Sequence, residues 1–313
     1  MSTLPTSSTT PACRAGALTN CANRPCFEGL ETETWNDATV VRQLPIQDYH
    51  SQPEVSSSQE RDAARSMELF HGRHITGDIP KFSSSSTELG QDIHDWYENQ
   101  DDSLSWLVRA PKETLTPTGL IGKKAQDWAA KEGIPEGSRL VSEAHYWKVM
   151  RIVSALKANP ISQELLDNAA HKELSFFWEQ FGLGLRTRAD LMLEDGTLVD
   201  LKTTSCEDID REFGMSVAKF GYHRQEAFYR LGLMAAGTPV RAMQFVIVQT
   251  SEPFQVRVRT IPRELIVLAE ASVTKTLQEI QRRIEWNDWT FEAAEEVRDL
   301  RVPQWIFTEL QND

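Results

Sequence analysis

The chain has 313 residues, 40% hydrophobic and 25% charged, enough for one large domain or two small ones. Its net charge of −13 argues against a protein that coats nucleic acid through a general positive field, though not against an enzyme with a local basic track. No apolar run approaches the ~18 residues of a membrane helix, and no basic start followed by an apolar stretch marks a secretory signal, so a cytoplasmic protein is expected.

Residues 1–45 are rich in Ser, Thr, Pro and Ala, show little periodicity, and read as a disordered tail. Cys13, Cys21 and Cys26 lie in it; with Cys206 they form no C-x-x-C pair, so free thiols are expected rather than a metal or iron–sulfur site. Residues 46–313 then form the folded part, helical over about 56–170 and built around a sheet over about 171–290. Serines open a helix over 56–71. A second helix covers 87–99, with Ile93, Trp96 and Tyr97 on one face and His94 beside them. A lone helical His is more often structural than a ligand. Residues 101–121 are loop-like, 123–131 a short helix, 138–158 a longer one stopped before Pro160, and 162–170 helical again. Residues 172–180 read as an aromatic-rich strand with Glu173 at its start, where an exposed edge carboxylate is the simplest interpretation.

The stretch RTRADLMLEDGTLVDLKTT, residues 186–204, reads as two strands joined at Glu194-Asp195-Gly196. A turn centred on Asp195 sets Asp190 opposite Asp200. Two like charges so placed are destabilising unless compensated, and a divalent cation held by oxygen ligands would compensate them. Strand period puts Lys202 on the face of Asp200, with Val199 and Leu201 turned to the core. Two acids and an amine on one face suit metal-assisted attack on a phosphodiester; a solvated acid-turn-acid hairpin would produce the same letters.

After the hairpin, 208–219 is a helix or an irregular crossover, and 222–236 a clear helix closed by Gly237. Tyr222, Gln225 and Tyr229 share one of its faces, a polar stripe suited to binding substrate or orienting metal ligands. Strands over 242–250 and 254–261 follow, the second alternating Arg257 and Arg259 with Val256 and Val258, and a long helix spans 263–287. This order predicts an α/β fold with a mixed sheet and helices on its faces.

The series Gly90-x-x-x-His94, Glu173, Arg188-Ala189-Asp190, Val199-Asp200-Leu201-Lys202-Thr203-Thr204 and Tyr222-His223-Arg224-Gln225 with Tyr229 resembles the RecE-like exodeoxyribonuclease VIII nucleases of the PD-(D/E)XK superfamily. The resemblance covers most of residues 50–300 and leaves out the N-terminal tail. It implies a restriction-endonuclease-like fold and a nuclease domain over 46–313. It also implies Asp190 and Asp200 as metal-binding acids, the Leu201 carbonyl as a further ligand, and Lys202 as the lysine that positions or activates water and stabilises phosphate charge. His94 matches an upstream metal ligand, Glu173 an acid reaching the metal directly or through water, and Gln225 and Tyr229 helix residues lining the site. Asp stands at 200 where many members carry Glu, which shortens the reach.

The implied activity is a Mg²⁺- or Mn²⁺-dependent exonuclease on double-stranded DNA ends, degrading 5′ to 3′. It would act as a homo-oligomer beside a single-strand annealing partner and away from membranes. Two rivals stand: a RecB-like or endonucleolytic member of the superfamily, and a non-catalytic DNA-end-binding protein on the same fold.

Overall fold

A computed structural model describes residues 27–80 and 85–291, with the single positions 299, 302 and 307. The chain opens with strands β1 (Thr32–Trp35) and β2 (Ala38–Val41), then helix α1 (Ile46–Ser51), the short strand β3 (Val55–Ser56), helices α2 (Ser57–Arg65) and α3 (Met67–Phe70), and a π turn at His71–Ile75. Helix α4 (Ser85–Asn99), strand β4 (Leu107–Arg109), helix α5 (Lys123–Glu132), strand β5 (Arg139–Val141) and helices α6 (Glu143–Ala158) and α7 (Pro160–Asp167) follow. The core is strands β6 (Ala169–Gln180), β7 (Leu183–Leu193) and β8 (Leu198–Thr204), helices α8 (Ile209–Phe220) and α9 (Tyr222–Ala235), strands β9 (Gln244–Gln249) and β10 (Val256–Arg259), and helix α10 (Arg263–Trp286).

The strands form a mixed sheet in the order β1-β2-β6-β7-β8-β9-β10, and β3 adds to β7 in parallel. Every neighbouring pair along that order is antiparallel except β8 and β9, which the α8–α9 crossover joins in parallel. Period-two alternation divides the interior between two layers. Leu198, Phe245 and Ile247 face one layer with Phe228, Ile266 and Val273. Val199, Leu201, Val246 and Val248 face the other with Ile93, Trp96 and Ile152. The expected mixed α/β architecture is present. Among the described residues no helix is long and apolar enough to cross a membrane.

Three stretches differ from expectation. Residues 1–26 lie outside the described residues, but 27–45, assigned to a disordered tail, contain the β1–β2 hairpin. Its strand β2 pairs with β6 from Ala38↔Trp178 to Val41↔Ser175 and buries Ala38, Val40 and Val41. The Ser/Thr-rich composition of residues 1–20, read together with this stretch, masked a Thr-Glu-Thr-Trp strand, a turn at Asn36 with φ 45°, and a β-branched return strand. Within the loop expected over 101–121, β4 pairs with β5, and so the helix expected from 138 starts only at Glu143. Ser142 caps it by accepting the His145 N–H at 3.2 Å.

Candidate active site

The β7–β8 ladder pairs Leu191 with Val199 and Met192 with Leu198, the register that carries Asp190 opposite Asp200. There the ladder opens, and the Asp190 carboxylate takes the place of a backbone acceptor: its Oδ2 accepts the Leu201 N–H at 2.9 Å. On the other side, β6 pairs Lys172 with Leu191 and Leu174 with Ala189, so Glu173 takes the position beside Asp190. Three carboxylate residues thus stand in a row across three adjacent strands. Glu173 holds φ at 49°, a conformation that costs a non-glycine residue roughly 1–2 kcal/mol and persists only where its surroundings impose it.

The sequence-predicted residues meet at a groove of about 460 Å³ that His94, Glu173, Asp190, Lys202, Gln225 and Tyr229 all line. His94 Nδ1 on α4 stands 3.4 Å from Asp190 Oδ2. Asp200 is 2% exposed. Its Oδ1 accepts the Gln225 amide N–H at 2.6 Å, and Lys202 Nζ lies 2.5 Å from its Oδ2 and 4.8 Å from the centre of the Tyr222 ring. Tyr229 does not touch the acids; its hydroxyl donates to the Arg188 carbonyl at 2.8 Å and so fixes β7 from the helix side. Leu201 has its side chain buried in the core, as strand period requires.

Helix α9 reaches this position because one residue ends α8 and starts α9. Gly221 at φ 69° is the left-handed cap of both, and a Cβ there would lie 3.0 Å from Cδ of Arg61. The helix then presents Gln225 and Tyr229 a turn apart.

Several residues of the groove were not assigned from sequence. Arg188, on the same face of β7 as Asp190, donates from Nε to Glu173 and from Nη1 to the Leu44 carbonyl at 2.6 Å, and packs 5.9 Å from the Tyr49 ring centre. The shared strand face was the signal for it. Leu44, Ile46 and Tyr49 form a wall of the groove from a segment at the edge of the supposed tail. Ser57, Ser58 and Arg61 line it from α2. That helix is tied to α9 by the buried Glu60–Arg224 ion pair, and Arg224 also donates to Ser272 Oγ at 2.7 Å on α10.

Burial pushes the Asp200 carboxyl above its ordinary range and the Asp190 charge adds to this, while Lys202 opposes it. Burial alone would lower Lys202, but the charges of Asp200 and Asp190 outweigh it and the ammonium is held above its ordinary value. Burial lowers Arg188 and raises Glu98, across the groove.

Among the described residues no three His, Cys, Asp or Glu side chains are gathered as a ready-made metal cluster. Glu173 is engaged by Arg188, and Lys202 stands over Asp200. The donor set still fits a hard divalent cation. Asp200 is buried with its Oδ2 held by Lys202 at 2.5 Å, and Asp190 and Glu173 beside it present further carboxylate oxygens, the hard donors such an ion takes.

Residues 62–297 match the family described as PDDEXK-like domain of unknown function (DUF3799). Among solved structures, a "Putative exonuclease" from Eubacterium rectale matches with a TM-score of 0.58 and 16% sequence identity, over 85% of this chain and 98% of that one. At that identity the likeness speaks to the fold alone, which is the restriction-endonuclease-like one expected. Among curated proteins none gives a significant match.

Proposed function

Because the chain belongs to the PDDEXK-like domain family DUF3799, we propose that it is a divalent-metal-dependent nuclease that hydrolyses DNA from double-stranded ends. The observation that carries this reading is that Asp190 and Lys202 line one open groove with the buried Asp200 directly behind them, paired to Lys202 at 2.5 Å and hydrogen-bonded by Gln225. A binding module has no need of clustered carboxylates where a phosphate must approach. The specific likeness to RecE-like enzymes, 5′ to 3′ polarity, a homo-oligomeric assembly and a single-strand annealing partner belong to the same proposal, and rest on the DLKTT and YHRQEAFY segments.

Asp190 and Asp200 would hold the ion, with Glu173, His94 and the Leu201 carbonyl as further candidate ligands, and Mg²⁺ or Mn²⁺ suits such oxygen donors. Bound there, the metal supplies charge neutralisation at the phosphate and a water of lowered pKa. The chain's own residues do the rest. Gln225 orients the Asp200 carboxylate through its 2.6 Å hydrogen bond. Lys202, 2.5 Å from Asp200 and lining the groove beside Asp190, is placed to meet the negative charge that develops on the phosphate. Tyr229 holds the backbone of Arg188 and so the position of β7 two residues before Asp190.

Purified protein is incubated with linear duplex and with covalently closed circles in Mg²⁺. Nucleotide release from linear DNA alone, lost in Asp200→Ala, is expected. Cleavage of circles would replace the exonuclease by an endonuclease, and release that survives Asp200→Ala would remove this site from the reaction.

A further inference from the structure

The Arg188–Glu173 ion pair lines the groove, and the reading above gives the Arg188 guanidinium no role. Arg188 is 9% exposed in its side chain, and Glu173 is 11% exposed. The Arg188 Nε donates to Glu173, and Nη1 to the Leu44 carbonyl at 2.6 Å. Its Nη2 stands 3.7 Å from Glu98 Oε1, beyond hydrogen-bond distance, so that edge of the guanidinium is only loosely engaged. Glu173 is the third carboxylate of the row, and its union with Arg188 withholds it from Asp190 and Asp200.

A guanidinium recognises phosphate and carboxylate by the same forked geometry. A carboxylate accepts either a guanidinium or a hard cation. Resting on the nuclease reading, we propose that Arg188 and Glu173 form a latch that opens by exchange of partners. Arg188 turns from Glu173 to a substrate phosphate, and Glu173 turns from Arg188 to the divalent ion at Asp190 and Asp200. Each charge leaves one counter-charge for another, so neither is stranded in the buried groove. The two ligands therefore assist each other: phosphate frees the carboxylate that the ion needs, and the ion frees the guanidinium that phosphate needs. By linkage the assistance is equal in both directions.

Calorimetric titration of the full chain with Ca²⁺, with and without a short blunt duplex, tests this. The matching measurement is duplex binding with and without Ca²⁺. For the wild type the duplex should tighten Ca²⁺ by about tenfold, and Ca²⁺ should tighten the duplex by the same factor. Arg188→Gln should bind Ca²⁺ more tightly than wild type without DNA, with the coupling reduced to near unity. Glu173→Gln should bind duplex more tightly than wild type without Ca²⁺, again uncoupled. A fixed brace predicts the opposite, both variants weakening both ligands, and that result would overturn the latch, as would full coupling in Glu173→Gln. Should Arg188→Gln not fold, the near-isosteric Glu173→Gln decides alone. If the wild type binds neither Ca²⁺ nor duplex, the nuclease reading itself fails and takes the latch with it.

Discussion

Lys202 and Asp200 are neighbours by strand period, and that relation was readable from the letters D-L-K. Lys202→Ala should lower kcat by about 10²–10³ while leaving KM nearly unchanged, as for removal of a preorganised charge at the reacting phosphate; a raised KM with kcat unchanged would make Lys202 a binding residue only. The partner of Glu173 was not readable. Arg188 lies 15 residues away and its second acceptor, the Leu44 carbonyl, 144 residues away, so the arrangement depends on how distant strands meet. A second buried acid shows the same limit. Glu226, 2% exposed on α9, accepts the Met243 N–H at 3.2 Å through Oε1, while Oε2 has no hydrogen-bond partner among the described residues. Burial raises its pKa from 4.5 to about 7. The unfolded chain ionises at the lower value, so the folded state is favoured most below it. That advantage is lost as pH rises toward the folded value, and the loss levels off above it. Glu226→Gln keeps the acceptor and removes the titration. It should raise stability at pH ~8 by up to about 3 kcal/mol, and the gain should shrink toward pH ~5, in urea melts at the two pH values.

Among elements, those with strong period or turn chemistry were legible: α4, α9, α10, the β7–β8 hairpin and β9. The β7–β8 register followed from a turn containing Gly196 at φ 85°. Elements defined by a partner rather than by their own pattern were missed. Strand β5 exists because β4 lies beside it, and the β1–β2 hairpin because β6 offers an edge to β2. The α8–α9 junction is the element on which the site most depends. Gly221→Ala would place a Cβ at positive φ and against the Arg61 side chain. The expected loss is about 1–2 kcal/mol in denaturant unfolding, with kcat falling as Gln225 moves off Asp200. A variant with unchanged stability and kcat would show that the junction tolerates another turn.

For the whole molecule, the order of helices and strands gave the fold class and composition the acidic balance, but neither gave the groove. Its wall comes from residues next to the supposed tail, and its cations are few: Lys202, Arg188 and Arg61. The chain as a whole carries a net charge of −13, so a general positive field adds little to these contacts. Duplex affinity, measured with Ca²⁺ present, should therefore fall with log salt at a slope of about −3 or shallower. A slope several units steeper would point to an extended cationic surface, as a ring of subunits could provide.

Strand β2 emerges early in synthesis, yet it docks on residues 175–178, and Leu44 waits for Arg188. A nascent chain ending at Glu207 already carries Asp190, Asp200 and Lys202 but lacks α9 and β9, which seat Asp200 and flank β8. Such a ribosome-bound fragment should leave labelled DNA intact, and cutting should begin only once β9 has cleared the exit tunnel. On the nuclease reading, cutting thus waits for elements that are made after the acids and the lysine themselves.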